Sequence, residues 1–206
     1  VSKESRPYGY SFHHRLKEVK DKCNGLIGQA WTFEALACAS SILGEPQYSE
    51  VAEEVFFQHN FNENFGLWNR LEIDGEILSI DDTFNHQLWF AACASLLNTP
   101  RREEIRDRIL RFMNCLHENL SVLDNGLIYH PIKRNLIQNR SGLSTKSKLR
   151  NAVKSFIPFL SKSKGQSNCN NKEYREKMIN KSVGYHQFNM YAFGILKESL
   201  SEHPFW

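Results

Sequence analysis

The chemistry this sequence can offer lies in three carboxylates, two imidazoles and a set of amides that recur in register. Asp81-Asp82-Thr83-Phe84-Asn85-His86-Gln87-Leu88-Trp89 crowds two acids, an Asn, a His and a Gln ahead of the apolar run Phe90-Ala91-Ala92-Cys93-Ala94. Gln29 and Trp31 stand in the same relation to Phe33-Glu34-Ala35-Leu36, as do Tyr185, His186, Gln187 and Asn189 to Met190-Tyr191-Ala192. Gln29, Gln87 and Gln187 align, and two places further on so do Trp31, Trp89 and Asn189. The first two copies lie about 58 residues apart and the third about 100 beyond, a spacing that leaves room for a degenerate unit between. A helix N-terminus offers free N–H groups and the positive end of the dipole. Gln and Asn both give and accept hydrogen bonds, as a hydroxyl does, and Trp adds a broad apolar face. Together they suit a sugar. The alternative is that the amides cap buried helices and the Trp residues are core.

Catalysis on a sugar can take two forms with these residues. Glycoside hydrolysis needs two carboxyl groups about 5–5.5 Å apart for retention or about 6.5–9.5 Å for inversion. Asp81, Asp82 and Glu34 are the candidates, with Asp82 equally suited to capping a helix. Glu34 interrupts an apolar helix where the other copies have Ala92 and Ala192; if buried, it would be a raised-pKa general acid. Epimerase or lyase chemistry would instead move a carbon-bound proton with His86 and His186 as acid and base. The same two His, and Asn85, Gln87, Trp89, Tyr185, Gln187 and Asn189 with Gln29 and Trp31, would also serve plain binding.

The elements that must position these residues follow from the hydrophobic pattern. Helices are expected at about 26–43, apolar nearly all round, and 47–59, with Val51, Val55 and Phe56 as its stripe. Leu67–Ile73 and Glu76–Ile80 flank Asp74-Gly75, which takes the positive φ angles of a tight hairpin turn. A third helix runs to about Leu97. A fourth opens at Thr99-Pro100 with Ile105, Ile109, Phe112 and Leu116 inward, and the last covers about 185–201. Inner and outer helices alternate, with hairpins between. This pattern predicts an all-α fold, an (α/α) toroid of helical hairpins with short β-hairpin insertions. At about 58 residues per hairpin the 206 residues fill a partial ring, one domain over 1–206 that lacks half a barrel or meets a partner chain. Residues 131–182 carry half of the 26 Lys and Arg with Glu173 and Glu176 as their acids, and read as a basic, Ser/Asn-rich, mobile insertion that includes a short helix at about 150–160.

Composition narrows the classes. A formal net charge of +3 is too small to imply nucleic acid by itself, and nucleic-acid binding through residues 133–181 is the weaker third reading. No apolar run is expected to span a membrane, and residues 1–7 lack a secretory apolar core. Five cysteines, Cys23, Cys38, Cys93, Cys115 and Cys169, show no metal-type spacing, and His13-His14 cannot share a metal from one helix. A reducing, cytoplasmic setting with no metal and no cofactor is the expectation.

The motifs Asn24-Gly25-Leu26-Ile27-Gly28-Gln29-Ala30-Trp31, Thr83-Phe84-Asn85-His86-Gln87-Leu88-Trp89-Phe90-Ala91-Ala92 and Val183-Gly184-Tyr185-His186-Gln187-Phe188-Asn189 resemble the six-hairpin (α/α)-barrel superfamily. That superfamily holds glycosidases, unsaturated glucuronyl hydrolases and sugar 2-epimerases, and the nearest likeness is to members encoded in polysaccharide-biosynthesis gene clusters. The resemblance implies an active site at the inner-helix N-termini and a glycan or sugar as substrate. Half the expected ring is missing, which leaves open whether the chain is a glycosidase-like enzyme or a non-catalytic helical scaffold for a glycan or a protein.

Overall fold

The computed structural model describes residues 10–16, 20–133 and 164–206, with side chains in the last helix described from Lys172 onward. Six helices and three strands are present among the described residues: α1 Gly25–Leu43, α2 Gln47–Gln58, β1 Phe61–Asn62, β2 Leu67–Leu71, β3 Ile77–Ile80, α3 Phe84–Ala94, α4 Arg102–Asn114, α5 Leu116–Asn119 and α6 Lys164–Ser199.

The strands form one antiparallel sheet in the order β1-β2-β3, with Phe61 opposite Trp68 and Asn69 opposite Ile80. Asp74-Gly75 makes the β2–β3 turn. Gly75 sits at φ 91° with Tyr10 lying against it, and Asp74 Oδ1 accepts from the Glu76 N–H at 3.1 Å. The all-α toroid expected from the sequence is therefore corrected: this is a mixed helix-and-sheet arrangement, and no ring of helical hairpins is formed among the described residues. The sheet is no decoration on a helical core. Leu67 and Trp68 on β2 are fully buried, and Trp68 meets Phe56, Phe90 and Phe112 at ring centroid distances of 5.9, 5.3 and 5.8 Å. Alternating apolar helices report which faces are covered, and a strand can do the covering as well as a helix.

Helix α3 is the middle of the molecule. Phe84, Asn85 and every residue from Gln87 to Ala94 are buried, and it packs against α1 on one side and α6 on the other. Helix α4 turns Ile105, Ile109 and Phe112 inward, as its stripe predicts; the helix breaks at Cys115, and Leu116 begins α5. Helix α1 was expected to be covered on most sides, yet Trp31 (49% exposed), Ile42 and Leu43 face outward. By length and composition it is also long and apolar enough to cross a membrane, contrary to the expectation that no run reaches that length, and a little under half of it is buried in the fold. Helix α6 starts at Lys164 rather than near Tyr185. The short helix expected at 150–160 lies outside the described residues.

His59 closes α2 inside the aromatic core, 1% exposed, with Nδ1 donating to the Asn69 carbonyl at 2.9 Å and its ring 4.9 Å from that of Phe90. Burial lowers its pKa from 6.5 to about 4, against smaller upward pulls from the Asn69 bond and the Asp81 charge. The unfolded chain takes up this proton near the ordinary value while the folded chain resists until about 4. Stability is therefore complete above pH 6.5 and falls as the pH drops towards 4, by about 3 kcal/mol from this residue. Urea midpoints measured from pH 7 to 4 should show that slope, and His59→Phe should flatten it by up to one proton.

Candidate functional site

The N-termini of α1 and α3 meet at one carboxylate. Asp81 leaves β3 with its backbone N–H on the Trp68 carbonyl at 3.3 Å, which turns its side chain inward to 3% exposure. Oδ2 accepts from the Leu26 N–H at 3.1 Å and from His86 Nδ1 at 2.9 Å; Oδ1 accepts from the Thr83 N–H at 3.2 Å. Burial alone would raise this acid. The His86 charge and the bonds from His86, Leu26 and Thr83 outweigh it and hold Asp81 below the usual carboxylate range. With Nδ1–H committed to Asp81, His86 offers Nε2 as an acceptor when the ring is neutral and as a donor when it is charged. The side chain is 24% exposed, and Nε2 has no protein partner among the described residues. A buried acid orienting an accessible imidazole is the arrangement of a general base.

Asp21 adds a second buried acid that the sequence reasoning missed. Its Oδ1 accepts from the Gly25 N–H, and its Oδ2 lies 3.0 Å from Arg15 and 3.2 Å from Arg70. Two acids thus take the adjacent N–H groups of Gly25 and Leu26 at the start of α1, where Asn24 makes no side-chain cap. Its signal in the sequence is an Asp four residues ahead of the helix start.

The registered amides do something different from what their spacing suggests. Gln29 accepts from the Phe12 N–H at 2.8 Å and donates to the Phe12 and Cys23 carbonyls at 2.9 and 3.2 Å. Gln87 accepts from the Trp68 N–H at 2.9 Å and donates to the Trp68 and Asp81 carbonyls at 2.8 and 3.0 Å. Each amide clamps the backbone N–H and C=O of one residue, Phe12 or Trp68, and both amides are fully buried. The repeat is a folding device at these two positions. The third amide, Gln187, is exposed.

The remaining candidates divide as follows. Asp82 is exposed, and its backbone carbonyl takes the Ile132 N–H at 3.0 Å. Asn85 and Asn189 are buried with Oδ1 unpaired, and His186 keeps Nδ1 unpaired. Glu34 is half-buried and accepts from the Tyr191 hydroxyl at 2.9 Å, a bond that raises the Tyr191 phenol. Trp89 is 6% exposed under Phe188 and Tyr191, whereas Trp31 is open. Tyr185 stacks on His130 at 5.2 Å and 18°.

His130 is the other residue the sequence did not single out. Its carbonyl accepts from the Phe84 N–H at 2.9 Å and its N–H donates to Ser182 Oγ at 2.8 Å, which ties α3 to α6. Burial first, then the charges of Lys181 and His86, push its imidazole down to about 4. A neutral His130 therefore lies within electrostatic reach of Asp81 and His86. Asp81, His86, His130 and Tyr185 form one group where α1, α3 and α6 come together. One surface hollow runs along α6 at Glu173, Lys177 and Lys181 and another lies between Ala94, Ile105 and Ser199; neither is lined by Asp81, His86, His130 or Tyr185. Among the described residues no group of three or more His, Cys, Asp or Glu is placed to hold a metal ion.

Over its whole length the chain is 37% identical to a protein named archaeal glycosylation protein Q from Haloferax volcanii, and it covers 54% of that protein. It therefore spans about half the length of the curated relative it matches. No family model matches the chain, and no solved structure does.

Proposed function

We propose that this chain carries the proton-transferring site of a sugar-modifying protein in glycan biosynthesis. The observation that carries the reading is the Asp81–His86 pair, 2.9 Å apart, with the acid buried and the imidazole side chain part-exposed. The similarity to a protein named for glycosylation supports the carbohydrate context. In this reading His86 Nε2 takes a proton from a sugar hydroxyl or ring carbon, and Asp81 stabilises the imidazolium that results. His130 and Tyr185 border the same face and hold the substrate. His186 is the second candidate acid, from α6. Epimerisation and elimination need such a step, glycoside hydrolysis would use the same base on a water instead, and the similarity favours none of the three. The free thiols of Cys23, Cys38, Cys93 and Cys115 fit a reducing compartment, and we place the activity in the cytoplasm.

A non-catalytic reading also has an observation in its favour: Asp81 would be needed to join α1 to α3 even if no reaction took place. One experiment separates the two. The producing organism's gene is replaced by a His86→Ala version and its glycans are profiled by mass spectrometry at matched protein levels. A catalytic His86 predicts truncated or unmodified glycans. A wild-type profile would leave the scaffold reading standing alone.

A further inference from the structure

A chain of aromatic rings runs from the Asp81–His86 group across the face of α3. Tyr185 has one ring face on His130 and lies 6.2 Å from Phe188, Phe188 lies 6.3 Å from Trp89, and Trp89 lies 5.5 Å from Tyr191. Tyr191 ends the chain by donating to Glu34 on α1. Tyr185, Phe188 and Tyr191 are 42%, 45% and 54% exposed, while Trp89 is nearly closed beneath them as a floor. Trp31, also open, stands one turn ahead of Glu34 on α1.

We infer that this strip binds an extended oligosaccharide, several sugar rings long, leading away from His86. The inference rests on the sugar reading above and adds the size and shape of the ligand. A purely apolar partner would leave the polar groups of this strip unpaired, which costs stability. Here ring faces alternate with the Glu34 carboxylate, the Tyr185 and Tyr191 hydroxyls and the exposed Gln187 amide. Next to Phe188, Asn189 keeps a buried Oδ1 with no partner among the described residues. Flat apolar faces edged with donors and acceptors match the C–H faces and equatorial hydroxyls of successive sugar rings. The group at the Tyr185 end holds one ring for chemistry, and the strip holds those that follow.

The test uses the full polypeptide that carries this chain and three probe ladders of one to six residues: manno-, gluco- and galacturono-oligosaccharides. Intrinsic fluorescence reports binding through Trp31 and Trp89. With at least one ladder the affinity should climb with length, and Phe188→Ala and Tyr191→Ala should each weaken the longest member about fivefold while leaving the monosaccharide unaffected. Should Phe188→Ala unfold the protein, Tyr191→Ala and Trp31→Ala carry the same expectation. Affinity independent of length, or no binding of any ladder, overturns the inference. So does a change of oligomeric state in these variants without loss of sugar binding, which would mark the strip as a protein contact. The outcome is separable from that of His86→Ala: length-dependent binding with an unchanged glycan profile sinks the catalytic reading and leaves the strip.

Discussion

Asp81→Ala should destabilise the protein by about 3–5 kcal/mol, the largest loss expected from any single polar side chain in this fold. The substitution leaves three donors without their acceptor. The Leu26 N–H loses its helix-entry bond, the Thr83 N–H its turn bond, and His86 its anchor. Two of the three are backbone groups; the Leu26 N–H is buried and cannot turn to find water, while the Thr83 N–H is part-buried. The neighbouring Asp21 cannot step in: its oxygens already hold Gly25, Arg15 and Arg70. Asp81→Asn keeps the shape and one acceptor but presents an N–H₂ to one of the donors, so it should cost less, about 1–3 kcal/mol. Urea unfolding at pH 7 measures both, with hydrogen exchange at the Leu26 and Thr83 amides as the local readout. A loss below 1 kcal/mol for the alanine variant would mean that water replaces the carboxylate and that the pair is not sealed.

That the stretch around Asp81 mattered was legible in the sequence; what each residue does there was only partly so. Asp74-Gly75 and the Ile105–Ile109–Phe112 stripe came through because their signals are local, a turn that needs positive φ and a helix with one wet face. Gln29 and Gln87 were found by their register, yet an amide that clamps a stretch of backbone and one that grips a hydroxyl use the same donors and acceptors. Sequence cannot separate them until the partner backbone is in view. The toroid failed for a related reason. The apolar pattern of α1 and α3 says that something covers them, and β2 with Trp68 supplies part of that cover. The start of α6 at Lys164 was hidden because Lys164–Glu176 has no apolar stripe to announce a helix. Asp21 and His130 were missed because both act through partners distant in sequence: Arg70 for the one, Tyr185 and Ser182 for the other.

Gly25→Ala tests the same junction from the opposite side. Gly25 has φ 62°, where an L side chain costs about 1–2 kcal/mol on backbone grounds alone. A Cβ there would also stand 2.5 Å from Asp81 Oδ2 and 3.1 Å from His86 Nδ1, closer than either can tolerate without moving. Gly44 separates the two effects: its φ is 70°, and a Cβ there meets nothing within 4 Å. Gly44→Ala should therefore cost about 1 kcal/mol and Gly25→Ala about 2–4 kcal/mol, the excess being the displacement of the Asp81 carboxylate. A double-mutant cycle makes this decisive. In an Asp81→Ala background the obstructing oxygen is gone, so the two substitutions should cost at least 1 kcal/mol less together than the sum of their separate effects. Strict additivity would show that the alanine methyl never reaches the carboxylate, and that Asp81 and His86 are held apart from α1 rather than against it.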